Sequence, residues 1–322
     1  MPSPTRRTFL QGTAAITALA ASPARILATL PTSPFRIAVI NDEISPDFDH
    51  ACSVVANDFG MQWIELRGMW GKNIMDLSAD ELDRTEKILT RYKLQVTDIA
   101  SPLFKTDWPG APVSKFSAAG DRHGAADATF KQQDEILHHA IELAKRFRTD
   151  KIRCFDFWRI EEVKPYRAAI DAKLHEAAEV AAKAGMTLIL ENEFECNTAT
   201  ARESVRTLAA VPSRGLALNW DPGNAVMAGE LDTWPVGWQM LPKDRIHHCH
   251  VKNTIRSAEG KLEWAPVDKG FVDWAAQFSA LKAAGYHGAV SLETHWHGGT
   301  PEESTRISWA GMKQALDKAG AL

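Results

Sequence analysis

The sequence predicts an α/β protein folded as one eight-stranded parallel barrel, (β/α)8, in a single domain. Three observations lead there. From Phe35 onward short β-rich runs alternate with long helical patterns, eight such runs can be counted, and several are apolar on both faces, as in Thr187-Leu188-Ile189-Leu190. Strands buried on both sides belong to parallel sheets covered by helices. Strand–helix alternation fits a doubly wound sheet or a barrel, and the count of eight selects the barrel. A chain of 322 residues accommodates such a fold, which needs about 250 residues, with decorations to spare.

The elements follow in order. The first strand is expected at Arg36–Asn41, then a helix over Asp47–Asp58. Trp63–Leu66 leads to a helix over Ala79–Arg91, and Ser78, three residues before Glu81, forms a capping box at its start. Gln95–Ile99 precedes a helix over Phe130–Phe147; Lys151–Phe155 precedes Tyr166–Ala184; Thr187–Leu190 precedes Ala199–Ala209. After the sixth strand, Gly215–Asn219, the pattern is irregular, with a short apolar piece at Ala225–Ala228 and a Trp/Pro-rich stretch to Pro242. Ile246–Val251 and Ala289–Leu292 complete the eight strands, followed by helices over Val272–Ala284 and Pro301–Ala319. Gly60, Gly185 and Gly285 stand where a left-handed residue ends a helix.

The N-terminal segment differs in kind. Thr5-Arg6-Arg7-Thr8-Phe9-Leu10 is a twin-arginine pattern, a mild apolar run Gly12–Ala21 follows, and no acidic residue occurs up to Ala28. Residues 1–28 are therefore expected to be a secretory signal read by the twin-arginine (Tat) export machinery, with a periplasmic mature protein. The apolar run is too short and alanine-rich for a stable membrane anchor. Its removal takes three arginines and leaves 34 basic against 41 acidic residues, a balance of −7. That charge argues against nucleic acid as a partner, which calls for a basic stripe. Cys52, Cys154, Cys196 and Cys249 lack zinc-ligand or redox-pair spacing and read as isolated buried thiols.

Barrel active sites lie where strands meet the loops that follow them. Strand five runs into Glu191 (LILENE), strand six into Asp221 (LALNWDPGNA), strand seven carries His250 (IHHCHVKN), and strand eight ends at Glu293 (VSLETHW). Four consecutive strands, about 4.8 Å apart, thus bring three carboxylates and an imidazole to one height on the rim. Each residue alone has a plain reading as a salt-bridge partner or core histidine; jointly they suit one divalent ion. The donor set favours Mn²⁺, then Mg²⁺ or Co²⁺, and admits Zn²⁺. Strand alternation leaves Glu193 a rival of Glu191 and His248 a rival of His250. Lys252 points the same way as His250, to a substrate oxygen or a rim salt bridge. His295 and His297 either extend the site or are loop histidines. Trp70, Trp108, Trp158 and Trp296 follow strands two, three, four and eight, where aromatic faces suit a sugar and loop tryptophans also serve as packing plugs. Glu43 and Glu65 either bind hydroxyls or pair with Arg67 and its neighbours.

On ILEN, NWDPGN, HCHVKN and SLETHW, in order after strands five to eight, the chain from Phe35 to about residue 320 resembles the xylose-isomerase-like TIM-barrel superfamily of sugar isomerases and epimerases. The resemblance implies that Glu191, Asp221, His250 and Glu293 hold one Mn²⁺-type ion, with Glu191 and Glu293 as acid and base. Its HxHVK pattern selects His250 over His248. Arg256, six residues after His250, matches an arginine of the epimerase branch. Lys252, Arg256, His248, Trp296 and Glu65 make up the expected substrate-facing set. That branch has a glutamate where this chain has Asn197 and a histidine where it has Asn224, so the ketose 3-epimerase assignment does not carry over whole. Dimers or tetramers are common in the family, although no interface is legible here.

Such a site polarises the carbonyl of a hydroxy-ketone or aldehyde and stabilises the enediolate left when a neighbouring proton departs. Proton return from the opposite face epimerises, return to the adjacent carbon isomerises, and loss of a β leaving group makes the site a lyase. The leading expectation is a metal-dependent sugar isomerase or epimerase. The alternative is a lyase, deglycosidase or dehydratase acting on a keto-sugar or 3-keto-glycoside. An abasic-site endonuclease ranks lower, because that branch uses a three-zinc cluster with histidines from earlier strands and QVTDIASP supplies none. A non-catalytic sugar-binding module is the remaining class.

Overall fold

A computed structural model describes residues 33–117 and 129–322; the signal expected over residues 1–28 lies outside the described residues. Eight parallel strands form the barrel: β1 Arg36–Val39, β2 Trp63–Leu66, β3 Gln95–Leu103, β4 Lys151–Cys154, β5 Thr187–Glu191, β6 Leu216–Trp220, β7 Ile246–Val251 and β8 Ala289–Leu292. They run in the order β1-β8-β7-β6-β5-β4-β3-β2, and the seam between β1 and β2 is joined by a parallel bridge between Ile40 and Glu65. The helices are α1 Phe48–Ser53, α2 Ala79–Tyr92, α3 Gln133–Arg146, α4 Arg167–Lys183, α5 Ala201–Ala210, α6 Pro222–Met227, α7 Trp274–Ala283 and α8 Pro301–Lys318. Strand–helix alternation thus yields the expected nearly closed barrel in one domain.

Local chemistry sets the helix ends. The Ser78–Glu81 capping box opens α2 as predicted, and Thr200–Glu203 and Thr300–Glu303 repeat it at α5 and α8. Gly60, Gly185 and Gly285 have φ of +70°, +78° and +72°, the left-handed geometry expected of them. The differences from the sequence reading are local. β3 extends to Leu103 because Ser101 Oγ donates to Arg153 O at 2.6 Å and Phe155 N to Leu103 O at 2.9 Å, keeping it beside β4. The first helix loosens after Ser53 into a π-helical segment over Val54–Asp58. Two antiparallel hairpins, Gly68–Met69 with Lys72–Asn73 and Asn253–Arg256 with Leu262–Ala265, interrupt the alternation.

A main hydrophobic core fills the layer between strands and helices, with a small separate cluster of Phe155, Trp158 and Cys196. Alternation then decides what the barrel interior receives. On β5, Leu188 and Leu190 join that core, while Glu191 takes the other face; on β7, Cys249 and Val251 join it, while His248 and His250 turn inward. The interior is consequently polar towards the C-terminal mouth. All four cysteines are buried and free, as expected. Among the described residues no helix is long and apolar enough to cross a membrane.

Candidate active site

Glu191, Asp221, His250 and Glu293 converge at the C-terminal mouth. Each is buried, and each offers one ligand atom within 4.8 Å of those of the others. Glu191 ends β5. Asp221 caps α6, its Oδ1 accepting from Asn224 N at 2.8 Å with Pro222 in the first turn, so the Asp-Pro-Gly-Asn sequence itself fixes the carboxylate. Asn192 pins the same residue twice: its Oδ1 accepts from Asp221 N at 2.7 Å and its Nδ2 donates to Asp221 O at 2.7 Å. Glu293 follows β8 directly, its N–H donating to Val251 O at 3.1 Å. His250 Nδ1 lies 3.1 Å from Glu293 Oε2, 3.3 Å from Glu191 Oε1 and 3.7 Å from Asp221 Oδ2.

The donor set fits a divalent cation. Glu191 Oε2 and Asp221 Oδ2 accept no hydrogen bond although buried, a costly state unless a cation serves them. The fully buried Lys252 ammonium already answers part of that demand, 2.7 Å from Glu293 Oε2 and 2.9 Å from Asp221 Oδ2. Gly223 makes room for it: a Cβ there would lie 2.8 Å from Lys252 Cγ.

The surrounding shell orients these groups. His250 Nε2 is 3.1 Å from Glu65 Oε1, a carboxylate–imidazole pairing that presents Nδ1 to the cluster. Arg67, 1% exposed, reaches three carboxylates: Nε lies 2.9 Å from Asp42 Oδ1, Nη2 2.8 Å from Glu43 Oε1 and Nη1 2.6 Å from Glu293 Oε1. Arg153 Nη1 stands 3.3 Å from Glu191 Oε2, and Asn224 Nδ2 donates to Glu191 Oε1 at 3.1 Å.

Electrostatics divide the carboxyls. Burial pushes Glu191 up, but the charge of His250, its hydrogen bond and the Arg153 guanidinium outweigh it and hold the group well below the usual range. Burial likewise opposes ionisation of Glu293, and Lys252, His295 and His250 together hold its carboxyl far down. Asp221 is raised to about 6, because burial and the charge of Glu191 outweigh the pull of Lys252 and His250. Glu193 is raised to about 7 by burial and by the charge of Glu191, against the opposing effect of Lys105.

A cavity of about 390 Å³ opens above the cluster, with Glu191, Glu293, Arg67, Arg153, Glu193, Lys105 and the aromatic rings of Phe155, Phe194, Trp264 and Trp296 among its walls. Of the sequence-nominated residues, Trp296, Glu43, His295 and His297 line it. Glu65 does not: it is fully buried behind His250, so its place is beneath the cluster rather than in the cavity. His248 is also set deeper, 3.1 Å from Asp98 Oδ1, with its Nδ1 donating to Asn219 Oδ1 at 3.1 Å. Arg256 lies outside the walls, exposed on the hairpin after β7 and donating to Gly260 O at 2.8 Å. Trp70 packs against Phe48 and Arg84, Trp108 against Phe130 and Phe157, and Trp158 near Lys105; none is a wall. Glu193 joins the cavity through Lys105, 3.5 Å from its Oε2, and not the four-residue cluster. Asn197 spends its amide on the carbonyls of Asp156, Phe157 and Trp158, a loop-holding role. Arg67 entered the sequence reading only as a pairing partner for Glu43 and Glu65, and it pairs with Glu43; Arg153 and Trp264 were not singled out from sequence.

Fold and site together define an α/β barrel with a buried carboxylate–imidazole centre at its C-terminal mouth. The chain belongs to the xylose isomerase-like TIM barrel family, whose pattern matches residues 54–315. It is similar to an L-ribulose 3-epimerase from Mesorhizobium japonicum, 32% identical over 133 residues; that match spans 38% of this chain and 39% of the relative's length. Among solved structures it resembles a probable 3-DHS dehydratase from Bacillus anthracis, with a TM-score of 0.62 at 21% identity over 87% of this chain and 98% of that one. It also resembles the IOLI protein with a bound zinc atom, with a TM-score of 0.65 at 16% identity over 89% and 98% of the two chains.

Proposed function

We propose that this protein is a divalent-metal-dependent sugar isomerase or epimerase that moves a proton beside a substrate carbonyl. The observation that carries the reading is the convergence of Glu191, Asp221, His250 and Glu293 within ligand reach of one another, with Glu191 and Glu293 opening onto one cavity. Those four residues would hold the ion, Mn²⁺ by preference of the donor set, with Mg²⁺, Co²⁺ or Zn²⁺ as substitutes. When bound, the ion polarises the carbonyl and stabilises negative charge next to it. Lys252, expected to face the substrate, is instead buried beneath the cavity and outside its walls, where its ammonium offsets the charge of Glu293 and Asp221. Glu191 and Glu293 both line the cavity as the candidate base and acid. His250 chiefly holds Glu191 ionised and Lys252 chiefly holds Glu293 ionised, so either can take the substrate proton, and its partner acts as acid only once it has itself been protonated.

The relatives support sugar chemistry without fixing its outcome, since one is named as an epimerase and another as a probable dehydratase. One observation favours the second reading, a lyase or deglycosidase on a keto-sugar or 3-keto-glycoside: Asn197, where the epimerase branch has a glutamate, is committed to backbone carbonyls. Incubation of the metal-loaded protein in D₂O with free ketohexoses and with 3-keto-glycosides separates the two. Deuterium at the carbon beside the carbonyl, lost in Glu293→Gln, supports the first; aglycone release without stereochemical scrambling supports the second; neither, with any sugar, refutes both. We further propose that residues 1–28 direct Tat-dependent export, tested by fractionating cells that express the chain with Arg6 and Arg7 replaced by lysine.

A further inference from the structure

Trp264 reaches the cavity by an unusual route. The hairpin after β7 pairs Asn253 with Ala265 and Thr254 with Trp264, which brings an indole from a surface excursion back over the site. The hairpin base is tightly held: Asn253 Nδ2 donates to Val267 O at 2.9 Å and Val272 O at 3.0 Å, and Trp274 Nε1 donates to Lys252 O at 2.9 Å. At Gly270, φ +140°, a Cβ would lie 2.2 Å from Thr254 O, so the closing loop packs directly on the hairpin backbone.

The indole lies over the floor. Its ring centroid is 5.1 Å from Lys252 Nζ, the ammonium that touches Glu293 and Asp221. The His295 ring braces it at 5.3 Å, and Phe194 meets it edge-on at 6.2 Å, itself backed by Phe116 at 6.1 Å. Trp264 stays partly exposed as a cavity wall. A partly exposed aromatic face beside the charged cavity walls of Arg67, Lys105, Arg153 and Glu193 is what an amphipathic sugar ring requires, its C–H face to the ring and its hydroxyls to those walls.

Resting on the sugar reading above, we infer that Trp264 is a substrate-positioning residue that takes the C–H face of the sugar against its indole while the hydroxyls meet the polar walls of the cavity. It touches none of the four cluster residues through a hydrogen bond, so its loss changes sugar binding and leaves ion binding alone. The test compares wild type, Trp264→Phe and Trp264→Ala, with Mn²⁺ affinity from calorimetry and steady-state kinetics on whichever keto-sugar shows solvent-proton exchange. The alanine variant raises KM about tenfold or more with a smaller change in kcat and an Mn²⁺ Kd within about twofold of wild type. The phenylalanine variant restores most of the loss. An unchanged KM in Trp264→Ala, or an Mn²⁺ Kd weakened as much as KM in both variants, overturns the assignment while wild-type exchange leaves the sugar reading standing. Absence of exchange by wild type with every sugar removes both.

Discussion

Replacing Arg67 by methionine removes the one guanidinium shared by Asp42, Glu43 and Glu293. The side chain is 1% exposed, and its three contacts are 2.9, 2.8 and 2.6 Å. Methionine fills much of the space but leaves three carboxyls at one buried point without that cation. Breaking a buried ion pair from one side costs about 3–5 kcal/mol. Protonation relieves part of this, most readily at Asp42, which burial and the charge of Glu43 already lift to about 6 against the pull of Arg67. A net loss of about 3 kcal/mol is therefore the expectation, read as a fall of about 5 °C in Tm for a domain of this size. Calorimetric scans of metal-loaded and chelator-treated protein give the stability, and titration calorimetry with Mn²⁺ gives the affinity. Affinity falls too, since Glu293 Oε1 loses the contact that aims Oε2 at the cluster. The triple variant Arg67→Met, Asp42→Asn, Glu43→Gln recovers much of the stability, because the orphaned charges go with the arginine. A Tm within 1 °C of wild type in Arg67→Met, or a triple variant less stable than the single one, refutes the clamp.

Other outcomes follow from the same geometry. Glu65→Gln weakens metal binding about 10–100-fold, with an unchanged far-ultraviolet circular dichroism spectrum, because Glu65 only orients His250; unchanged affinity would sink that role. Metal affinity falls as pH drops, by about tenfold per unit where His250, held protonated well above its ordinary value by the charges of Glu65, Glu191 and Glu293, must release a proton to ligate. It falls more steeply below about 6, where Asp221 is protonated too, while Glu191 and Glu293 remain ionised. Titrations at pH 7.5, 6.0 and 5.0 check the slope. Gly223→Ala presses a methyl against Lys252 Cγ, costs about 1–3 kcal/mol in denaturant unfolding and lowers turnover by displacing the ammonium.

Much of this site is readable from sequence because barrel strands obey a rigid rule: alternation decides the face, and the strand end decides the height. Glu191, Asp221, His250 and Glu293 each close or follow a strand, so their meeting follows from the fold. The same rule could not separate Glu191 from Glu193, because the chain leaves its strand after Glu191 and alternation no longer applies. Arg153 escapes notice because a charged residue on a buried strand carries no local mark of its partners, here Glu191 and the β3 carbonyls of Ala100 and Ser101. Arg67, foreseen only beside Glu43 and Glu65, gives no local sign that it also reaches Asp42 and Glu293. Trp264 is hidden for another reason. Hairpin pairing between Asn253–Arg256 and Leu262–Ala265 is a tertiary event inside what reads as a loop. Arg256 illustrates the converse: spacing from His250 suggests the cavity, while the hairpin turns the residue to solvent.

The barrel's seam has a consequence for how the mouth moves. Seven strand junctions are held by parallel ladders among the described residues, whereas β1 meets β2 through the Ile40–Glu65 bridge and side-chain stitching, with Arg67 N donating to Asn41 Oδ1 at 2.9 Å. Parting two staves there sacrifices fewer main-chain bonds than anywhere else on the circumference. Glu65 and Arg67 sit on that joint and hold His250 and Glu293, so any widening of the hoop there would alter the aim of both ligand side chains.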